Sequence, residues 1–248
     1  MHRCLRHPFL ALALLLAWLL AWQQAGAADL TVMPVTLHLD RTHDRTTVQV
    51  TNQGREPVLL QADAIAWNRV AGVDSNAPTG DLMVNPPVFT LAPGRTQIVR
   101  VGLRRAAEAD SEMTYRMVLR EVPMPNDAFM PTVQGQVRVL VTLLVPVYVA
   151  PNAVRREQHW RARLDAEGRL VADVTNTGNV HYKVGSVGVQ GELAHPPVTA
   201  KGPESVLFPG EARSFRLPAP ALPTARPITL EVMTDRGMQH VALDLPHR

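Results

Sequence analysis

Residues 137–149 read VRVLVTLLVPVYV, and no other stretch constrains the fold of this chain as tightly. Val137, Val139, Val141, Leu143, Val145, Val147 and Val149 share one parity. A period of two puts alternate residues on one face of a strand, so these side chains make a continuous aliphatic stripe. The other parity carries Arg138, Thr142, Pro146 and Tyr148. Proline has no N–H to give to a ladder, so Pro146 points to an edge strand or a bulge. A long apolar edge is an aggregation hazard that soluble proteins blunt. Either this edge is hidden, or it is offered to another chain.

The rest of the chain is built from short alternating runs. Residues 47–51, 58–64, 97–102, 114–122, 133–149, 170–175 and 228–233 read as strands. Turn chemistry separates them: Asn52-Gln53-Gly54, Pro78-Thr79-Gly80, Pro93-Gly94, Asn176-Thr177-Gly178 and Pro209-Gly210. Beyond the N-terminal segment, no window of helical length carries a 3.6-residue stripe, so the expected class is all-β, a sandwich. Val50-Thr51-Asn52-Gln53-Gly54 is echoed by Val174-Thr175-Asn176-Thr177-Gly178. Leu91-Ala92-Pro93-Gly94 has a counterpart in Leu207-Phe208-Pro209-Gly210. The echo is either common turn chemistry recurring or two sandwich domains with one strand–turn–strand plan. The polar residues 150–157 mark the break. Residues 70–80 and the proline-rich 123–132 read as loops, the second leading directly into the aliphatic strand.

Residues 1–27 are expected to be a cleaved export signal. Arg3 and Arg6 form a basic start, residues 9–22 an apolar core, and Ala25-Gly26-Ala27 a small-residue cleavage pattern. The alternative is a membrane anchor, but the apolar run is shorter than the roughly 20 residues a spanning helix needs. Cys4 lies inside this segment, so the mature chain has no cysteine, and an exported fold without disulfides must rely on an ordinary core. With Arg3 and Arg6 set aside, 23 basic side chains face 22 acidic ones. That balance argues against a nucleic-acid partner or a polybasic membrane patch, and no second hydrophobic span suggests stable membrane insertion.

Catalytic signatures fail. There is no G-x-S-x-G, no phosphate loop and no dinucleotide fingerprint, and a thiol nucleophile is excluded. His38, His43, His159, His181, His195, His240 and His247 form no H-x-H or H-x-x-x-H pair. They read as surface or turn histidines, with a sandwich metalloenzyme as the remote alternative. Neither enzyme activity, a metal nor a cofactor is expected. Arg100, Glu112, Arg116, Arg120 and Glu121 stand out among the charges. They are either a solvated strand face or a basic cluster suited to a partner's carboxylate.

Three ordered motifs precede the aliphatic strand. They are Pro87-Val88-Phe89-Thr90-Leu91-Ala92-Pro93-Gly94, then Gln97-Ile98-Val99-Arg100-Val101, then Tyr115-Arg116-Met117-Val118-Leu119-Arg120-Glu121-Val122-Pro123. In this the chain resembles the PapD-like periplasmic pilus chaperones of the chaperone–usher pathway, in particular the archaic or alternative branch. The resemblance is strong over residues 30–151 and thinner beyond. It implies two immunoglobulin-like domains in an L shape, at 28–150 and 158–248, joined by a linker at 151–157. It further implies a non-enzymatic periplasmic protein that binds and stabilises pilin or fimbrial subunits and delivers them to an outer-membrane usher. The donor strand would be residues 137–149, lent to an incomplete subunit by donor-strand complementation, with Val137, Val139, Val141 and Leu143 inserted. The free edge could also drive self-association. The other reading is an exported immunoglobulin-like structural or adhesive protein that assembles through its own edges.

Two departures from the family pattern stand out. The positions that carry the family's cationic anchor for the subunit carboxylate are here Thr36 and Pro146. Arg116 is the first substitute expected, with Arg100 and Arg120 behind it. Glu112 and Asp235 match two acids of an interdomain ion triad, but Ala150 stands where its arginine is expected.

Overall fold

The computed structural model describes residues 29–70, 72–105, 108–124, 139–191, 196–218 and 227–244. The leader 1–27, Val137, most of the proline-rich 123–132 segment, His195 and His247 lie outside the described residues.

The first unit is a sandwich of two sheets. One sheet has the order β1 (Leu30–Met33), β3 (Arg45–Asn52), β8 (Thr96–Leu103) and β6 (Leu82–Asn85). The other runs β2 (Leu37–Leu39), β10 (Thr142–Val149), β9 (Met113–Val122), β4 (Val58–Val70) and β5 (Val73–Pro78), with β7 (Val88–Leu91) also paired to β4. Alternation drives the packing. Val48 and Val50 of β3 and Val99 and Val101 of β8 turn inward. They meet Leu60 and Ala62 of β4, Met117 and Leu119 of β9, and Val145, Val147 and Val149 of β10. The intervening residues of these strands, such as Thr47, Gln49 and Arg100, are exposed.

The second unit repeats the plan with its own core. Its sheets are β11 (Gln158–Leu164), β12 (Leu170–Asn176) and β16 (Ala212–Arg216), and β14 (Val198–Thr199), β13 (Tyr182–Val189), β17 (Ile228–Thr234) and β18 (Gly237–Leu243). A short β15 (Val206–Leu207) also pairs with β13. Trp160, Val174, Val184, Leu207, Phe215, Leu230 and Val232 are buried between them. No residue is shared between this core and the first.

The sequence echo is a structural repeat. The side-chain amide of Asn52 donates to Glu56 O (2.7 Å) and Leu91 O (3.0 Å), while its oxygen accepts from the Gly54 N–H. Asn176 donates to Val180 O (2.8 Å) and Leu207 O (3.0 Å) and accepts from the Gly178 N–H. The N–H groups of Gly94 and Gly210 donate to the main-chain oxygens of Asn52 and Asn176 respectively. Gly94 and Gly210 have φ of 68° and 81°, a left-handed conformation that explains glycine after each Pro93 and Pro209. Coincident turn chemistry does not account for this agreement.

Two elements differ from the sequence reading. Residues 73–78, expected as loop, form β5, because an antiparallel ladder from Ile65↔Pro78 to Val70↔Val73 folds them back on a long β4. The aliphatic strand, expected from 133, begins at Thr142 within the described residues, so Val139 and Val141 precede the ladder.

Candidate functional site

The edge strand β10 holds the feature that composition made conspicuous. On one side it pairs with β9 over its full length, from Thr142↔Arg120 to Val149↔Met113. On the other side β2 covers only Val147–Val149, in parallel. The Glu121 N–H donates to Val141 O (2.9 Å), so the polar groups of Val141 face β9. The Ala150 N–H donates to Leu39 O (2.8 Å), so those of Ala150 face β2. Main-chain groups alternate in direction along a strand. Thr142 and Leu144 therefore turn their N–H and C=O groups outward, and Pro146 its carbonyl alone. Among the described residues nothing pairs with this edge. Pro146 does not break the strand, because its missing N–H falls on the outer side and costs β9 no bond.

The side chains grade along the same line. Val145, Val147 and Val149 are sealed in the core, Leu143 packs at its margin, Val141 is half-buried, and Val139 is 66% exposed. One face thus changes from core to open surface without changing chemistry. The opposite parity contributes Leu144, also exposed. A chain laid beside β10 would find unpaired donors and acceptors next to aliphatic side chains.

The three arginines do not gather at one point. Arg100 is exposed on the four-stranded sheet, whereas Arg116 and Arg120 stand on the outer face of the sheet that contains β10, level with Pro146 and Thr142. Arg120 is exposed. Arg116 is committed: it donates to Asp74 (2.6 Å) and Asn76 (3.1 Å), and its guanidinium lies 4.0 Å from the Trp67 ring centroid. Burial pushes the Asp74 carboxyl up, but the hydrogen bonds from Arg116 and Arg69 help to outweigh it and hold the group below its usual range. The register Val147↔Leu37 places Thr36 beside Pro146, so this corner carries no fixed charge from either residue.

Behind the edge the two units meet. Trp67, Tyr148, Val206 and Phe208 form a small buried cluster of their own. Arg69, whose side chain is 1% exposed, donates to Asp74 and Glu211 and to Val206 O, and lies over the Phe208 ring. Glu112 is 2.8 Å from His181 Nδ1, and His181 Nε2 is 4.0 Å from Asp235. The group between the two acids is therefore this histidine, while Ala150 only extends the β2 contact. Burial raises the Tyr148 phenol and the nearby Glu112 adds to it; burial lowers His38, with His181 contributing. Sequence reasoning assigned no role to Arg69, Trp67, Tyr148 or His181. A faint signal existed in Tyr148 and Trp67, large aromatics on the polar parity of their strands. Among the described residues no group of three or more His, Cys, Asp or Glu could hold a metal ion, and no helix is long and apolar enough to cross a membrane.

A family model described as the pili and flagellar-assembly chaperone, PapD N-terminal domain, matches residues 29–155. No curated protein matches the sequence. Among solved structures, a chain of the CsuC–CsuE chaperone–tip adhesion subunit pre-assembly complex from the archaic chaperone–usher Csu pili of Acinetobacter baumannii is 14% identical. The match has a TM-score of 0.60 and covers 89% of this chain and 100% of that one. A chain of the complex of the Salmonella enterica SafA pilin with the SafB chaperone is 18% identical, with a TM-score of 0.61, over 89% and 99%. The E. coli chaperone DraB is 18% identical, with a TM-score of 0.58, over 88% and 99%. At these identities the likeness is one of fold, and it extends through both units.

Proposed function

This chain belongs to the pili and flagellar-assembly chaperones defined by the PapD N-terminal domain, and we propose that it works by lending the free edge of β10 to an incomplete pilin subunit. Its coarse role, as a chaperone in pilus assembly, follows from the family. The finer mechanism rests on one observation: outward main-chain groups at Thr142 and Leu144 adjoin an aliphatic face that runs past the end of its own core. A subunit lacking a strand exposes an apolar groove and an unpaired ladder. An added strand satisfies both at once, its main chain giving affinity and its alternate side chains register.

In this reading Val139, Val141 and Leu143, with Val137 beyond them, fill the groove. The work takes place in the periplasm after export, and the subunit passes to an outer-membrane usher. The SafB and CsuC structures are complexes of a chaperone with a subunit, which is the kind of partner assigned here. Arg120 and Arg100 are exposed and available to a subunit carboxylate, whereas Arg116 becomes available only by leaving Asp74.

The test is co-purification with a co-expressed pilin subunit. Val139→Asp and Val141→Asp should each leave the chaperone folded by circular dichroism. Each should reduce the recovered complex at least about tenfold, the equivalent of about 1.4 kcal/mol. Undiminished complex with both variants would sink the donor-strand assignment.

A further inference from the structure

Met233 and Met238 stand where a sheet facing water keeps polar side chains. In β17 the alternate residues Ile228, Leu230 and Val232 fill the core of the second unit, so Thr229, Glu231 and Met233 face outward. In β18 Val241 and Leu243 pack against that core, so Met238, His240 and Ala242 share the outward face. Met233 is 41% exposed and Met238 47%, so burial in the core explains neither.

The hairpin gathers these residues into one patch. Met233 pairs directly with Met238, and Glu231 with His240 two positions along the same face. Residues opposite each other in such a ladder hold their Cβ atoms about 4.5–5.5 Å apart, and diagonal neighbours lie about 7–8 Å apart. Two long, flexible thioethers and one imidazole can therefore converge above the ladder. Their flanks are clear. Beyond β17, strand β13 has a bulge at Gly185 beside Met233, and it sets Gly188 opposite Glu231. A Cβ at Gly185 would lie 3.6 Å from Met233 Cγ, so the bare glycine leaves room next to the thioether. On the other flank, β18 is the last strand of its sheet among the described residues. His240 approaches Glu231 through Nε2, at 3.7 Å, which leaves Nδ1 to a ligand. A metal-bound imidazole characteristically turns its other N–H to a carboxylate or carbonyl in this way.

The donor set selects the ion. Thioether sulfur is soft and uncharged, and suits Cu(I); imidazole also accepts copper, whereas calcium and magnesium want oxygen. The one carboxylate of the patch stands beside the histidine. Beyond residue 27 the chain has no cysteine, so methionine is its soft sulfur ligand. We propose that Met233, Met238 and His240 form a binding site for Cu(I), with Glu231 orienting the imidazole. The three ligands are neutral, so the ion keeps its charge, and the Glu231 carboxylate balances it. The site belongs to the second unit, beyond the residues 29–155 that the family model matches, and it uses no residue of β10. It holds whether or not that edge is lent to a subunit.

The probe is Cu(I), titrated anaerobically into the purified chain with bicinchoninate as the coloured competitor. The chain carries Cys4→Ser, so that no thiol competes. One equivalent of Cu(I) should be withheld from the competitor. Two methionine ε-methyl signals should move with it in the NMR spectrum, and these should be the signals missing from Met233→Leu and Met238→Leu. Each of those variants, and His240→Gln, should weaken binding at least about tenfold, read from the competition curve. Leucine conserves the volume of methionine, so the fold persists. Met33→Leu and Met83→Leu, at exposed methionines of the first unit, should leave binding unchanged. Zn(II) at the same concentration should not move the two methyl signals. Failure to withhold Cu(I), binding undiminished in the three site variants, or equal loss in Met33→Leu would each overturn the site, the last two by showing adventitious binding only.

Discussion

Asn52 and Asn176 perform one task twice. Each closes the corner where a strand ends and the next begins, satisfying two carbonyls and one N–H that would otherwise be buried unpaired. Both are fully buried, which is unusual for asparagine. Leaving a buried polar group unsatisfied costs about 1–3 kcal/mol, and removing either amide strands several at once. Asn52→Ala and Asn176→Ala should therefore each destabilise the protein by about 3 kcal/mol, read from the shift of a denaturant midpoint with the slope unchanged. A surface asparagine in a turn would lose far less. This corner was legible in the sequence as T-N-x-G followed at distance by L-x-P-G, because the bonds from Asn52 to Leu91 and Gly54, and from Asn176 to Leu207 and Gly178, run between residues that the motif itself names.

At the scale of the element, β10 carries a safeguard. Pro146 occupies the outward parity next to the point where β2 stops covering the edge. It shortens the unpaired run of donors without removing any bond to β9. Replacing it with valine adds one outward N–H and lengthens the free edge. Pro146→Val should leave stability within about 0.5 kcal/mol of the original, because the position is only half-buried and no bond to β9 changes. Sedimentation velocity should nevertheless show concentration-dependent self-association that the unaltered chain resists. The strand itself was legible because its parity never wavers. Its start was not: alternation continues through Val139 and Val141, and only the geometry of β9 decides where pairing begins. Likewise β5 was read as a loop because residues 73–78 carry no apolar stripe; the hairpin with β4 holds them through the main chain.

At the scale of the whole molecule, the joint between the units depends on buried charge. Arg69 links Asp74 of its own hairpin to Glu211 of the second unit, with Phe208 beneath it. Removing one member of such a pair leaves its partners uncompensated, at a cost of about 3–5 kcal/mol. Arg69→Ala should lower stability by an amount in that range and split thermal unfolding into two transitions in calorimetry, because among the described residues the two units have separate cores. A single transition of unchanged midpoint would show that the joint is held elsewhere.

The sequence by itself determined the class, the strands with unbroken parity, the repeated corner and the aliphatic strand that becomes β10. These follow from local rules, since a period of two and the conformational limits of glycine and proline act within a few residues. Tertiary structure alone decided which length of that edge stays unpaired, that Arg116 is already spent on Asp74 and Trp67, and that a histidine rather than residue 150 stands between Glu112 and Asp235. The last two depend on side chains 42 and 69 positions apart meeting in space, as Arg116 meets Asp74 and His181 meets Glu112. No local pattern records such a meeting, because its energy comes from the partner found and not from the neighbours in the chain.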